Sequence, residues 1–201
     1  MPGHASCRTV ILLGIFFLLL HACMPSKKTE IDNAPSHSTQ HLRAGVEIDN
    51  ALSRSNRYLR AGDYQSAIDT FRTAYAKYPE DKPLVRSFQK AVEEIKGSAD
   101  RAFDREECVS AGRSYRLLLK NYPHFKDFAQ QLSFDKKYLN ARITHCREYL
   151  FKRGLEEYRS GDIKDAISTW EGLLSFDPEN AEAGKAYNAA TSQLENLQQR
   201  E

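Results

Sequence analysis

The thiols and imidazoles are the side chains of this 201-residue sequence best suited to chemistry: four Cys and six His. A thiolate can attack a carbonyl, ligate a metal or form a disulfide, and an imidazole can move a proton. The cysteines are Cys7, Cys23, Cys108 and Cys146, and none stands in a Cys-x-x-Cys pair. A zinc site built on thiolates is therefore not expected. His145 adjoins Cys146, but adjacent residues of a helix point about 100° apart, so the two do not converge on one substrate. No Gly-rich phosphate loop, HExxH or GxSxG is present. These observations point away from an enzyme and predict no catalytic residue, no metal and no cofactor.

The elements that would position these residues are helices. One pattern occurs three times: an acid, Ala four residues on, an aromatic four further, and Pro eight further. The copies are Asp63–Ala67–Phe71–Pro79, Glu107–Ala111–Tyr115–Pro123 and Asp162–Ala166–Trp170–Pro178. Fixed spacing in helical steps marks a stacked-helix array. From Gly45 onward apolar residues recur at three and four, as in Tyr64, Ala67, Ile68, Phe71, Ala74, Tyr75 and Tyr78. Gly62-Asp63 and Gly161-Asp162 read as a helix stop followed by the next cap. Pro83 suits a first helical turn. Residues 124–131 read as a loop with a short turn, followed by a long helix over about 134–160. No stretch alternates as a strand does. The three aromatics and their Ala partners are predicted to pack the repeats together.

Gly62-Asp63-Tyr64-x-x-Ala67-Ile68-x-x-Phe71-x-x-Ala74…Pro79 resembles the core of a tetratricopeptide repeat. So does Gly154…Gly161-Asp162-Ile163-x-x-Ala166-Ile167-x-x-Trp170…Pro178. The resemblance covers about residues 45–201 and implies an all-α fold: a short α-solenoid of about three antiparallel helix pairs with a C-terminal capping helix. The spacing departs from the family. Successive prolines stand 44 and 55 residues apart, against about 34 in the family. The excesses are close to whole helical turns, which predicts elongated first helices, with residues 124–133 absorbing part of the second excess. The middle copy has no Gly-Asp stop. Two readings of it stand: Asp104-x-x-Glu107 as a capping box, or one unbroken helix from about Leu84 to Lys120.

The amino terminus carries an address. Arg8 precedes an apolar run, Val10–Leu20, of secretory length and too short to span a bilayer. It ends in Leu20-His21-Ala22-Cys23, which resembles a bacterial lipobox. The resemblance implies cleavage after residue 22 and lipid attachment at Cys23, where several acyl chains anchor firmly. Met24 in place of Asp implies sorting to the outer membrane of a Gram-negative cell. Residues 23–44 are polar and read as a flexible tether reaching roughly 25 Å, which leaves 45–201 as the helical domain. The whole chain has 29 Lys+Arg and 27 Asp+Glu. Losing Arg8 with the signal leaves 28 against 27, a net of +1, so charge gives no argument for nucleic acid.

Two further expectations concern sites. If the fourth and fifth helices are antiparallel neighbours joined near residue 128, facing positions are centred there. The midpoint of Cys108 and Cys146 is residue 127, so the pair is predicted to bridge them as a disulfide. The alternative is two buried thiols acting as small apolar groups. The family's binding face, carried over in register, would comprise Asn56, Leu59 and Arg60, then Asp100, Phe103 and Asp104, then Phe151, Leu155, Tyr158 and Arg159. Apolar rings flanked by charges suit an extended or helical peptide. Gly97 and Asp100 stand where a clamp for chaperone carboxylates needs amide or basic groups, so chaperone binding is not predicted. Tyr75-Ala76-Lys77-Tyr78-Pro79 and Leu118-Leu119-Lys120-Asn121-Tyr122-Pro123 are similar to tetratricopeptide lipoproteins that assist outer-membrane barrel or type IV pilus secretin assembly. The resemblance implies a lipid-anchored periplasmic scaffold with protein partners in the envelope. The rival readings are a self-associating structural lipoprotein and a carrier or enzyme for cell-wall material.

Overall fold

A computed structural model describes residues 37–199. Among these residues seven α-helices follow one another: α1 (His37–Ala61), α2 (Tyr64–Lys77), α3 (Lys82–Asp104), α4 (Cys108–Asn121), α5 (Lys136–Ser160), α6 (Ile163–Leu174) and α7 (Ala181–Gln198). No strand occurs among the described residues. The molecule is an all-α, repeat-like array in which each helix packs chiefly on the next. The first helices of the pairs, α1, α3 and α5, have 25, 23 and 25 residues. Their partners α2, α4 and α6 have 14, 14 and 12. The elongation expected from the proline spacing is present. Two one-turn 3₁₀ segments, Tyr122–Phe125 and Ala129–Gln131, take up the rest of the second excess.

Local chemistry sets the helix ends. Asp81 accepts from the Leu84 N–H at 2.7 Å and Asp135 from the Tyr138 N–H at 2.7 Å, fixing the starts of α3 and α5. Gly62 (φ 74°) and Gly161 (φ 89°) end α1 and α5 in the left-handed conformation that glycine adopts without strain.

The repeat residues form the core. Ala67, Ala111, Ala166 and Tyr115 are fully inaccessible, and Phe71 and Trp170 are nearly so. Phe71 stacks on Phe88 at 5.2 Å between centroids, and Phe125 and Phe128 close around Phe88. Trp170 lies against Gly154: a Cβ there would stand 2.4 Å from the indole Nε1. That nitrogen donates to the Phe151 carbonyl at 3.3 Å. The tip of Phe176 fills the hollow over Gly112 in the same way. Asp177, buried in the α6–α7 link, accepts from Arg116 of α4 and Arg147 of α5, both at 2.6 Å. This double ion pair ties the last link to the middle of the array.

Three expectations need correction. His37–Ala44, read as tether, are the first residues of α1. Extending a formed helix costs little once its packed part is nucleated, so their polarity does not keep them unfolded. The middle joint is neither a capping box nor an unbroken helix. Asp104 is the last residue of α3, and Glu107 caps α4 without a side-chain bond to its backbone. Glu107 instead forms a salt bridge with Arg105 at 2.8 Å. Finally, Leu59 is 7% exposed and belongs to the core. Cys23 lies outside the described residues, as do residues 1–36 of the address and tether.

Candidate functional site

The side-chain cluster with the richest chemistry lies where α3 faces α5. Lys96 and Asp100 stand one turn apart on α3, and Tyr138 and Arg142 one turn apart on α5. The helical step therefore brings each pair to one face. Asp100 is the hub. The Tyr115 hydroxyl donates to its Oδ1 at 2.6 Å and the Tyr138 hydroxyl to the same oxygen at 2.7 Å. Lys96 Nζ stands 2.8 Å from Oδ2. Burial alone would raise the Asp100 carboxyl. The bonds from Lys96, Tyr115 and Tyr138 together outweigh burial and hold it below the ordinary carboxylate range. Burial and the adjacent carboxylate push the Tyr115 phenol far up, so it remains a donor.

An aromatic and cationic surface is built on this hub. The Arg142 guanidinium lies 4.2 Å from the Phe103 centroid and 5.2 Å from that of Tyr138. Lys96 Nζ lies 5.1 Å from the Tyr138 ring. The exposed His145 ring approaches Phe103 at 4.8 Å. Each cation is held by ring faces, and Phe103, Tyr138 and Arg142 keep part of their surface open. Such a surface can hold an acidic or aromatic side chain of a partner. It has no nucleophile placed beside a base.

The predicted face divides into patches. Asn56 and Arg60 are exposed on α1. Phe103 is half-buried and meets Arg142 and His145, with Asp104 exposed beside it. Asp100 is bound internally, so its carboxylate positions neighbours rather than facing a ligand. Phe151, Leu155 and Tyr158 are half-buried farther along α5, with Arg159 exposed. The Tyr158 ring lies 6.0 Å from Trp170, and its hydroxyl donates to Gln193 of α7. Lys96, Tyr138 and Arg142 were not singled out by the sequence reasoning, and His145 was considered there only as a partner for Cys146. The i, i+4 pairs Lys96–Asp100 and Tyr138–Arg142 were readable there, but their meeting required the α3–α5 pairing.

Two open concavities lie elsewhere. One of about 470 Å³ lies between α1 and α2, bordered by Asn50, Arg54, Asp69 and Lys77. Another of about 600 Å³ lies between α4 and the α6–α7 link, bordered by Arg113, Arg116 and Glu179. Among the described residues no group of three His, Cys, Asp or Glu could hold a metal. Cys108 and Cys146 are both buried free thiols, on the packed helices α4 and α5. The antiparallel register that motivated the predicted bridge is present, while the sulfurs are not joined. No protein-family model, no curated protein and no solved structure matches the chain.

Proposed function

We propose that this chain is a lipid-anchored adaptor of a Gram-negative envelope. Its tetratricopeptide-like array would be tethered through Cys23 to the outer membrane, face the periplasm and dock protein partners there. The observation that carries the docking half is the surface of Phe103, Tyr138 and Arg142, partly open and fixed from beneath by Asp100. A preorganised arginine between aromatic rings costs little ordering entropy on binding, and Arg and Tyr are common anchors of interfaces. The anchor half rests on Leu20-His21-Ala22-Cys23. No helix among the described residues is long and apolar enough to cross a membrane.

The test is recovery of partners from crosslinked envelopes with the full chain as bait. The double variant Phe103→Ala, Arg142→Ala is expected to lose the partner while keeping its helical circular dichroism. The same partner recovered equally by both would overturn the assigned face. Recovery of no protein by either would overturn the adaptor role. A fatty-acid probe should label the chain, with Cys23→Ala abolishing the label.

A second reading, self-association, is favoured by Leu42 and Val46. They stand one turn apart on α1 at 71% and 60% exposure. Light scattering of the purified chain tests it: a monomer at all concentrations would exclude it.

A further inference from the structure

We propose that Cys108 and Cys146 are a covalent modification site, whose two thiols are converted into an intramolecular disulfide that clamps α4 to α5. The inference does not rest on the adaptor role. Two observations carry it. The first is that the thiols are buried, at 3% and 0% exposure, on two helices packed against each other. The second is the register around them. Seven residues along α4 from Cys108 stands Tyr115, and eight residues back along α5 from Cys146 stands Tyr138. Those rings meet at 6.3 Å, and their hydroxyls share Asp100 Oδ1. On the other side the Tyr149 hydroxyl donates to Glu106 at 3.2 Å. Contacts both before and after the cysteines therefore mark an alignment of the two helices in which positions 108 and 146 face each other. Bond formation requires no change of pairing.

The two thiols have different access. Cys108 is the first residue of α4 and stands two residues after Glu106, whose φ of 59° is left-handed. Fraying of one helical turn exposes it. Cys146 lies in the middle of α5 with core residues on either side. The order of reaction follows by thiol–disulfide exchange. Cys108, as thiolate, attacks a donor disulfide. One donor sulfur leaves as thiolate and takes up the proton that Cys108 lost. On closure of the turn, Cys146 loses its proton and attacks the Cys108 sulfur of the mixed disulfide. The second donor sulfur leaves and is protonated. The protein pair loses two electrons and two protons, and the donor disulfide is reduced to two thiols. Any oxidising compartment supplies such a donor. The product holds Tyr115 and Tyr138 together, so the Asp100 hub is fixed by a covalent bond as well as by hydrogen bonds.

The experiment uses the full chain equilibrated with oxidised or reduced glutathione, blocked with an alkylating agent under denaturing conditions and mapped by non-reducing mass spectrometry. Cys7 and Cys23 are followed in the same map. Expected is a Cys108–Cys146 crosslinked peptide in the oxidised sample, absent after reduction, and a rise in unfolding midpoint on the order of 10 °C. Cys108→Ser and Cys146→Ala should each remove the crosslinked peptide and the rise. Capture of a mixed disulfide at Cys108 in the Cys146→Ala variant, and none at Cys146 in the Cys108→Ser variant, would support the order. Both thiols alkylated after oxidation would overturn the proposal, as would bridges only to Cys7, Cys23 or a second chain.

Discussion

The joint between α5 and α6 and the joint between α3 and α4 solve one problem with different residues. At the first, Gly161 N–H donates to Tyr158 O at 3.2 Å and Asp162 N–H to Glu157 O at 3.0 Å. At the second, Glu106 N–H donates to Phe103 O at 2.9 Å and Glu107 N–H to Ala102 O at 2.9 Å. The pairing is the same: a left-handed residue lets the next N–H reach five residues back and satisfy the helix's last carbonyls. Gly62-Asp63 repeats it at α1, through Leu59 and Tyr58. Only in the middle joint does a residue with a Cβ take the left-handed position. The array thus requires a fixed turn geometry. Glycine supplies it cheaply twice, and tertiary packing imposes it once.

The largest expected effect tests whether packing carries that burden. Each pair buries one aromatic of its second helix, and Trp170→Ala should destabilise the domain by about 3–5 kcal/mol, as read by urea unfolding. Tyr115→Ala should cost about as much and in addition release Asp100 from one donor. A Trp170→Ala variant with an unchanged midpoint would break the equivalence of the units. Next comes Gly154→Ala. Its methyl would meet the indole at 2.4–2.9 Å, so overpacking should cost about 1–3 kcal/mol. Gly184 has open space at its Cβ and sits within α7, so Gly184→Ala should instead stabilise slightly.

Those packing residues were legible in the sequence because helical periodicity repeats and the aromatics stand at one position in every copy. The stops at Gly62 and Gly161 were legible because glycine announces a left-handed turn. The middle joint was not, because Glu106 has no intrinsic preference that signals one. Its conformation follows from where α3 and α4 must cross. The start of α1 was misplaced for a related reason: composition reports local preference, whereas helix propagation from the packed part decides residues 37–44. Leu59 was placed on the binding face by a register carried over from the family, yet it packs inward. The hub around Asp100 was half legible, since its members lie at helical steps on two elements whose pairing no single segment encodes.

Acid should separate the middle unit from the outer ones. The Asp100 carboxyl is depressed in the folded state, despite burial, by the bonds from Lys96, Tyr115 and Tyr138. Its contribution is therefore present above the unfolded value of 3.8 and is lost as pH falls through the lower folded value. Stability should fall below about pH 4, in part through this group. Asp100→Asn should flatten that part of the profile and cost about 1.5–3 kcal/mol at neutral pH, where charge-assisted bonds are lost. A profile identical to the parent's would remove Asp100 from the account of the middle unit.

The smallest expected effect is the one most specific to the comparison. If packing forces Glu106 to φ 59°, then Glu106→Gly relieves the steric cost of Cβ in the left-handed region, about 1 kcal/mol. Two terms oppose it: Gly raises the entropy of the unfolded chain, and the bond from Tyr149 to Glu106 is lost. That bond is exposed and contributes little. The net expectation is a gain of up to about 1 kcal/mol, measured as a higher urea midpoint. Gly161→Ala places a Cβ at φ 89° with open space around it, so strain alone acts, and the variant should lose about 1–2 kcal/mol. Opposite signs at two joints with the same hydrogen bonds would establish that backbone conformation, not lost contacts, distinguishes them. A Glu106→Gly variant less stable than the parent would show that the glutamate side chain holds the middle joint closed, and the middle unit would then need an account of its own.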